Sequence, residues 1–180
     1  MTRLRPSALG IRRGRAYARD CLGYLGIAAA MVPLGVVVSR RITDPAVLRP
    51  VVTAASALPP VLAACWAARA ESGPHAATWG KRRESLQVAA RVPGEPPGPG
   101  GISFRRALLR STVKIAIPWQ LGHTVALGAA WGDFDTRAPA TLAAAVLTYP
   151  LLGAMIGSVV LSPGLGLHDR LAATRVLDAS

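Results

Sequence analysis

The sequence predicts an all-α, polytopic membrane protein with four transmembrane helices and both termini in the cytoplasm. Three observations predict it. The chain is oily: 51% of its 180 residues are hydrophobic and its mean hydropathy is +0.35. It holds four long runs without a charged residue. Its basic residues are distributed unevenly around those runs. Charged residues make up 17% of the chain, below the roughly 25% usual for soluble domains. The net charge is nevertheless +12, from 21 Lys+Arg against 9 Asp+Glu. Oil with basic flanks points to a membrane protein, whereas a soluble nucleic-acid binder spreads its bases over a polar surface.

The first element is a basic N-terminal segment, residues 1–20, with Arg12 and Arg13 as a twin arginine. The first apolar run, 21–39, follows. Small residues at 28–30 imitate a cleavage site, but the run continues past them, so a retained helix is expected. The second run spans 51–68, the third 115–132 and the fourth 141–162. About 18 helical residues reach roughly 27 Å, close to a hydrocarbon core of about 30 Å. Between the second and third runs lies a loop, 69–114. Gln87 between Leu86 and Val88 suggests a short strand or an interfacial segment. Residues 93–101, PGEPPGPGG, read as a turn or flexible tip. The following ISFRRALLR reads as an amphipathic helix along the inner membrane surface, leading into the third span. The tail is 163–180.

Basic residues fix the orientation. Seventeen lie before the first run, in the central loop or in the tail, and four lie in the other two loops. Termini and central loop therefore face the cytoplasm, across the cell inner (plasma) membrane. Asp133 and Asp135, in the short outer loop, read as solvated charge. Each span carries proline: Pro33, Pro59 with Pro60, Pro118, and Pro150. Glycines at 128 and 132, and at 153 and 157, have the spacing of close helix packing, within or between subunits. Cys21 and Cys65 read as inert buried thiols. No spaced Cys/His set, HExxH, Walker loop or Ser/His/Asp set is present, so no metal, no cofactor and no catalysis are expected.

Four short motifs stand in a fixed order around the spans. Arg13, Ala16, Tyr17 and Asp20 precede the first. Thr78, Gly80, Lys81 and Arg82 sit in the central loop. Leu109 and Arg110 precede the third. His168, Asp169, Arg170, Leu171, Ala172, Thr174 and Val176 follow the fourth. Together they resemble the RDD family of bacterial integral membrane proteins, over about residues 11–177. The resemblance implies fold and location more than activity, because the family has no settled activity; transport is often supposed for it. The central motif departs from the family's usual Leu-Leu-Gly-Leu-Arg-Val continuation, with Arg83, Glu84, Ser85, Leu86, Gln87 and Val88 in its place.

Arg13, Tyr17 and Asp20 share a helix face. A carboxylate at the hydrocarbon edge is costly unless paired, so Asp20 and Asp169 are expected to pair with Arg13, Arg110 or Arg170. That network either fixes packing and topology or binds a cation or proton. Within the third span Gln120 and His123 form a polar pair one turn apart, read as a helix-to-helix contact ahead of a proton relay. The reading is a membrane scaffold or partner subunit that self-associates, in contact with the lipid bilayer and with anionic headgroups through its basic loops, and without nucleic acid. The alternative is an ion-coupled carrier acting as an oligomer.

Overall fold

The computed structural model describes residues 7–91, 101–161 and 165–179. The turn expected over 93–101 therefore lies outside the described residues, except for Gly101. Ser7 opens the first helix, α1 (Ala8–Arg41), by accepting a hydrogen bond from Gly10 N at 3.0 Å. The helix has 34 residues, about 51 Å at 1.5 Å per residue. It takes in both the basic segment and the first apolar run. No break falls at residue 20, because arginine and alanine are good helix formers and continue the turn.

The second apolar run divides into α2 (Pro45–Ala55) and α3 (Leu58–Glu71). Asp44 caps α2 through Ala46 N at 2.9 Å. Pro59 and Pro60 offer no N–H to the carbonyls of Ala55 and Ser56, so the helix is interrupted there and restarts. The central segment holds α4 (Trp79–Arg83), β1 (Leu86–Ala90) and α5 (Phe104–Ser111). The chain then widens into one π turn, Thr112–Ala116, in which Ile117 N donates to Thr112 O. Pro118 explains the turn: it lacks a donor for the Lys114 carbonyl and its ring crowds that oxygen. After it come α6 (Ile117–Ala130) and α7 (Pro139–Leu161), then α8 (Leu167–Leu171) and β2 (Thr174–Asp178).

The chain is mostly helical. Among the described residues, three stretches are long and apolar enough to cross a membrane: α1, α2 with α3, and α7. Their apolar side chains face outward. Only 6% of the apolar window in α1 and 11% of that in α7 is buried inside the protein; Leu22, Leu25, Val146 and Tyr149 are among the exposed residues. A soluble bundle would bury these faces. The third apolar run yields α6, whose 14 residues span about 21 Å, short of a hydrocarbon core unless the π turn and α5 extend it.

The all-α expectation needs correction. β1 and β2 pair antiparallel, with Leu86 opposite Asp178 and Ala90 opposite Thr174. Leu86, Val88, Thr174 and Val176 are buried, which is the alternation a half-buried strand requires. The sheet joins the central segment to the tail. Its two strands arise in the same way: a five-residue helix, two linking residues of which the second has positive φ (Ser85 at 50°, Ala173 at 50°), then a five-residue strand.

The core is small. Tyr24, Ala63, Ala67 and Ile115 pack where α1, α3 and the π turn meet, and the Trp66 ring lies edge-on to Tyr24 at 5.9 Å. Cys21 and Cys65 are free thiols, but half-buried rather than enclosed. Asp133 is not solvated charge as the sequence suggests: it is 3% exposed. It accepts two hydrogen bonds from Arg49 Nη2, at 2.5 and 2.7 Å, and one from the Thr141 hydroxyl. These contacts tie α2 to the α6–α7 turn. That turn is tight enough that a Cβ on Gly128 would come within 2.3 Å of Thr141. Among the described residues, a Cβ on Gly153 or Gly157 meets nothing within 4 Å.

Candidate functional site

The N-terminal turns of α1, the C-terminus of α3, and α4, α5 and α8 converge at the end of the bundle away from Asp133. Their charged side chains form one closed ring. Asp20 on α1 accepts from the Thr78 hydroxyl at 2.6 Å and from Gly80 N at 2.7 Å. Thr78 Oγ1 in turn accepts from Lys81 Nζ at 3.3 Å. Lys81 Nζ donates to Glu71 Oε1 at 2.6 Å. Arg110 Nη1 donates to both Glu71 oxygens, at 2.6 and 2.5 Å. Arg110 Nε donates to Asp169 Oδ1 at 2.9 Å. Arg13 Nη2 donates to Asp169 Oδ2 and returns the ring to α1.

The ring is electrically closed as well. Three carboxylates (Asp20, Glu71, Asp169) face three cations (Arg13, Lys81, Arg110). All six are buried, and Asp20 and Asp169 are 0% exposed. Unpaired charges at such depth would cost several kcal/mol each. Here each carboxylate accepts at least two hydrogen bonds, and Arg110 spans two carboxylates with its planar fork. Burial alone would push the Asp169 carboxyl up; Arg110, with Arg13 and the Gly166 N–H, outweighs it and holds the carboxyl well below the usual range. Burial likewise disfavours the Arg110 charge, but Glu71 and Asp169 more than offset it and raise its pKa.

Local sequence explains the placement. Gly80 lets α4 lie directly on α1: a Cβ there would sit 2.1 Å from the Ala16 carbonyl oxygen. The short helix thus aims the Gly80 N–H, in its first turn, at Asp20, where a helix N-terminus favours an anion. Arg110 comes inward because α5 has a sharply one-sided face, with Ala107, Arg110 and Ser111 buried against α3. Arg105 and Arg106 on the same helix are exposed, whereas Arg110 turns inward to the ring.

The residues singled out from sequence fall into three groups. Arg13, Arg110 and Asp169 meet each other. Among the described residues Asp20 meets no arginine, and its partners are instead Thr78 and Gly80 of the central motif, with Lys81 next to them. Arg82 and Arg170 are both exposed. Gln120 and His123 do not pair. Gln120 Nε2 donates to Ser56 Oγ at 3.2 Å, across to the break between α2 and α3, and His123 Nδ1 accepts from Trp119 Nε1 at 3.0 Å. Sequence reading missed Glu71, the hub of the ring. It ends an apolar run as Asp20 begins one, and that position was the available signal. Among the described residues no group of His, Cys, Asp and Glu could hold a metal.

Outside the ring, Arg12 donates to Asp178 and to the Glu84 carbonyl, and Arg19 pairs with Glu84. These exposed contacts hold the sheet against α1. No family model, curated protein or solved structure matches the chain.

His168 lies against the ring, 3% exposed, with Nε2 3.4 Å from Arg13 Nη2 and 3.5 Å from Asp169 Oδ2. Burial, with Arg110 beside it, lowers its pKa from 6.5 to about 2. Below about pH 6.5 the unfolded chain therefore takes up a proton that the folded chain refuses. Stability should fall as pH drops from 6.5, by at most about 1.4 kcal/mol per pH unit from this group. Melting in detergent between pH 7 and 4.5 checks this. His168→Gln should flatten the slope, and an equal slope in that variant would count against it.

Proposed function

We propose that the chain is an RDD-like integral membrane protein of the inner membrane, acting as a scaffold or partner subunit that the charged ring locks together on its cytoplasmic side. In this reading the helix running from α5 through the π turn into α6 makes the fourth crossing, over about residues 115–132. Both termini and the central segment then lie on the side where seventeen of the basic residues fall. Arg105 and Arg106 meet anionic headgroups there. The outward faces of Gly153 and Gly157 are where copies pack together.

The observation that carries the scaffold reading is that the ring is saturated. Its three carboxylates are matched by three cations and by further hydrogen bonds, which is how a lock is built. A coupling site needs a carboxylate free to exchange its ion, usually near the bilayer midplane. The middles of the four apolar runs hold no carboxylate. The carrier reading is tested by flux. Liposomes containing the protein and protein-free liposomes are compared under a sodium or potassium gradient with an internal pH dye. The scaffold reading expects equal pH traces. A flux that Asp20→Asn or His123→Ala abolishes, in protein that still melts cooperatively, would replace it with the carrier.

A further inference from the structure

One cation beside the ring is not part of its balance. Lys114, brought in by the π turn, makes no ion pair or hydrogen bond among the described residues; its Nζ lies 4.5 Å from the centroid of the Tyr17 ring. One ring member and one ring neighbour also keep unused polar atoms. Arg13 Nη1 and His168 Nδ1 are buried and have no partner among the described residues. The side chains of Arg13 and His168 are 6% and 4% exposed.

These three residues line one cavity of about 250 Å³. Its opposite wall is apolar: Pro118 at the start of α6, and Leu152, Met155, Ile156 and Val159 along the inner half of α7. Gly14 and Tyr17 of α1 also line it, as do Lys81 and Arg110 of the ring. Unmatched positive charge thus stands at one end of an oily slot.

We propose that this cavity binds an anionic amphiphile, with one phosphate or carboxylate head at Lys114, Arg13 and His168 and the start of its acyl chain along α7. The volume fits a head and the first methylenes, leaving the rest of the chain in the bilayer. The head supplies the counter-charge that the ring cannot spare. Burial, with Lys81 and Arg110 nearby, lowers the Lys114 pKa well below the ordinary lysine value, and a bound anion reverses that by favouring the ammonium. The inference rests on the chain being embedded in a membrane, and not on the scaffold role.

Native mass spectrometry of the purified chain in detergent tests it, with four probes: phosphatidylglycerol, palmitate, phosphatidylcholine and inorganic phosphate. One phosphatidylglycerol or one palmitate per chain is expected, at least about tenfold tighter than phosphatidylcholine. The first result assigns a lipid headgroup and the second a free acid. Lys114→Met should weaken binding about tenfold or more, the scale of a lost charged hydrogen bond. Gly14→Leu should do the same by filling the slot, since a Cβ at Gly14 meets nothing within 4 Å; this variant decides alone if Lys114→Met does not fold. Phosphatidylcholine or inorganic phosphate binding as tightly as the anionic amphiphiles, or full affinity in Gly14→Leu or in folded Lys114→Met, overturns the proposal. None of these outcomes bears on flux, so the two readings fail separately.

Discussion

Arg110→Met is expected to be the most damaging single substitution in the chain, lowering stability by about 3–5 kcal/mol. Arg110 is 1% exposed and is the sole link between Glu71 and Asp169 in the ring. Methionine fills much of its volume but leaves two buried carboxylates short of a counter-charge. Asp169 keeps Arg13 and the Gly166 N–H, and Glu71 keeps Lys81. Both are under-satisfied, and each must then take up a proton or draw in water. Arg110→Lys should recover only part of the loss, because an ammonium cannot reproduce the fork that reaches both partners. Urea or thermal melting in detergent, read by tryptophan fluorescence, measures both. A loss below about 1 kcal/mol for Arg110→Met, the worth of an exposed ion pair, would show that the site is wet and not buried.

Gly80→Ala should come second, at about 2–5 kcal/mol. One methyl is enough because the Cβ would sit 2.1 Å from the Ala16 carbonyl oxygen and 2.8 Å from Asp20 Oδ1. The first obstacle is the backbone of α1, which cannot swing aside as a side-chain tip can. The strained packing costs about 1–3 kcal/mol. Backing α4 away from α1 then lengthens the Gly80 N–Asp20 bond, and a buried carboxylate short of one donor but keeping the Thr78 hydroxyl costs about 1–2 kcal/mol more. The natural control is Gly14→Ala, on the same helix as Ala16 but with open space at the Cβ. There, relief of glycine's conformational entropy should stabilise by about 0.5–1 kcal/mol. Opposite signs for the two glycine substitutions are the expected signature, and two small effects of the same sign would remove the close approach from the account.

Legibility in the sequence followed the physics of each feature. Four charge-free runs predicted four spans, and three of them correspond to membrane-length helices among the described residues, because hydrophobicity summed over many residues outweighs local detail. The exact ends were hidden: α1 begins at Ala8, well inside the basic segment, since arginines extend a helix as readily as they end a span. The prolines were visible, but their different consequences were not. Pro59 and Pro60 separate α2 from α3, Pro118 produces a π turn, and Pro33 and Pro150 stay inside continuous helices. The outcome depends on which neighbours can satisfy the freed carbonyl, and that is a tertiary property. β2 was invisible because five residues of tail form a strand only once β1 lies beside them.

The site shows the same division. Asp20 and Asp169 stood out because a carboxylate at the edge of an apolar run needs a partner. Which partner was beyond one-dimensional reading. Asp20 takes the hydroxyl and N–H of Thr78 and Gly80, while Asp169 takes two guanidiniums. The difference comes from α4 meeting α1 through a glycine, close enough for the backbone itself to serve as donor. Glu71 escaped notice because it sits where a span ends and a loop begins, and exposed glutamates are common there. Lys114 escaped for the opposite reason: among so many bases nothing marks the one that the π turn brings beside the ring.

The central claim is that a single closed ring of buried charges ties the first helix to the tail. Its closing contact is Arg13 with Asp169, 156 residues apart in sequence. A double-mutant cycle of Arg13→Met and Asp169→Asn, read by melting of the purified protein, measures that contact directly. The account predicts that the two substitutions couple by at least about 1.5 kcal/mol, the low end for a hydrogen bond between charged groups. Additivity within about 0.5 kcal/mol would contradict it.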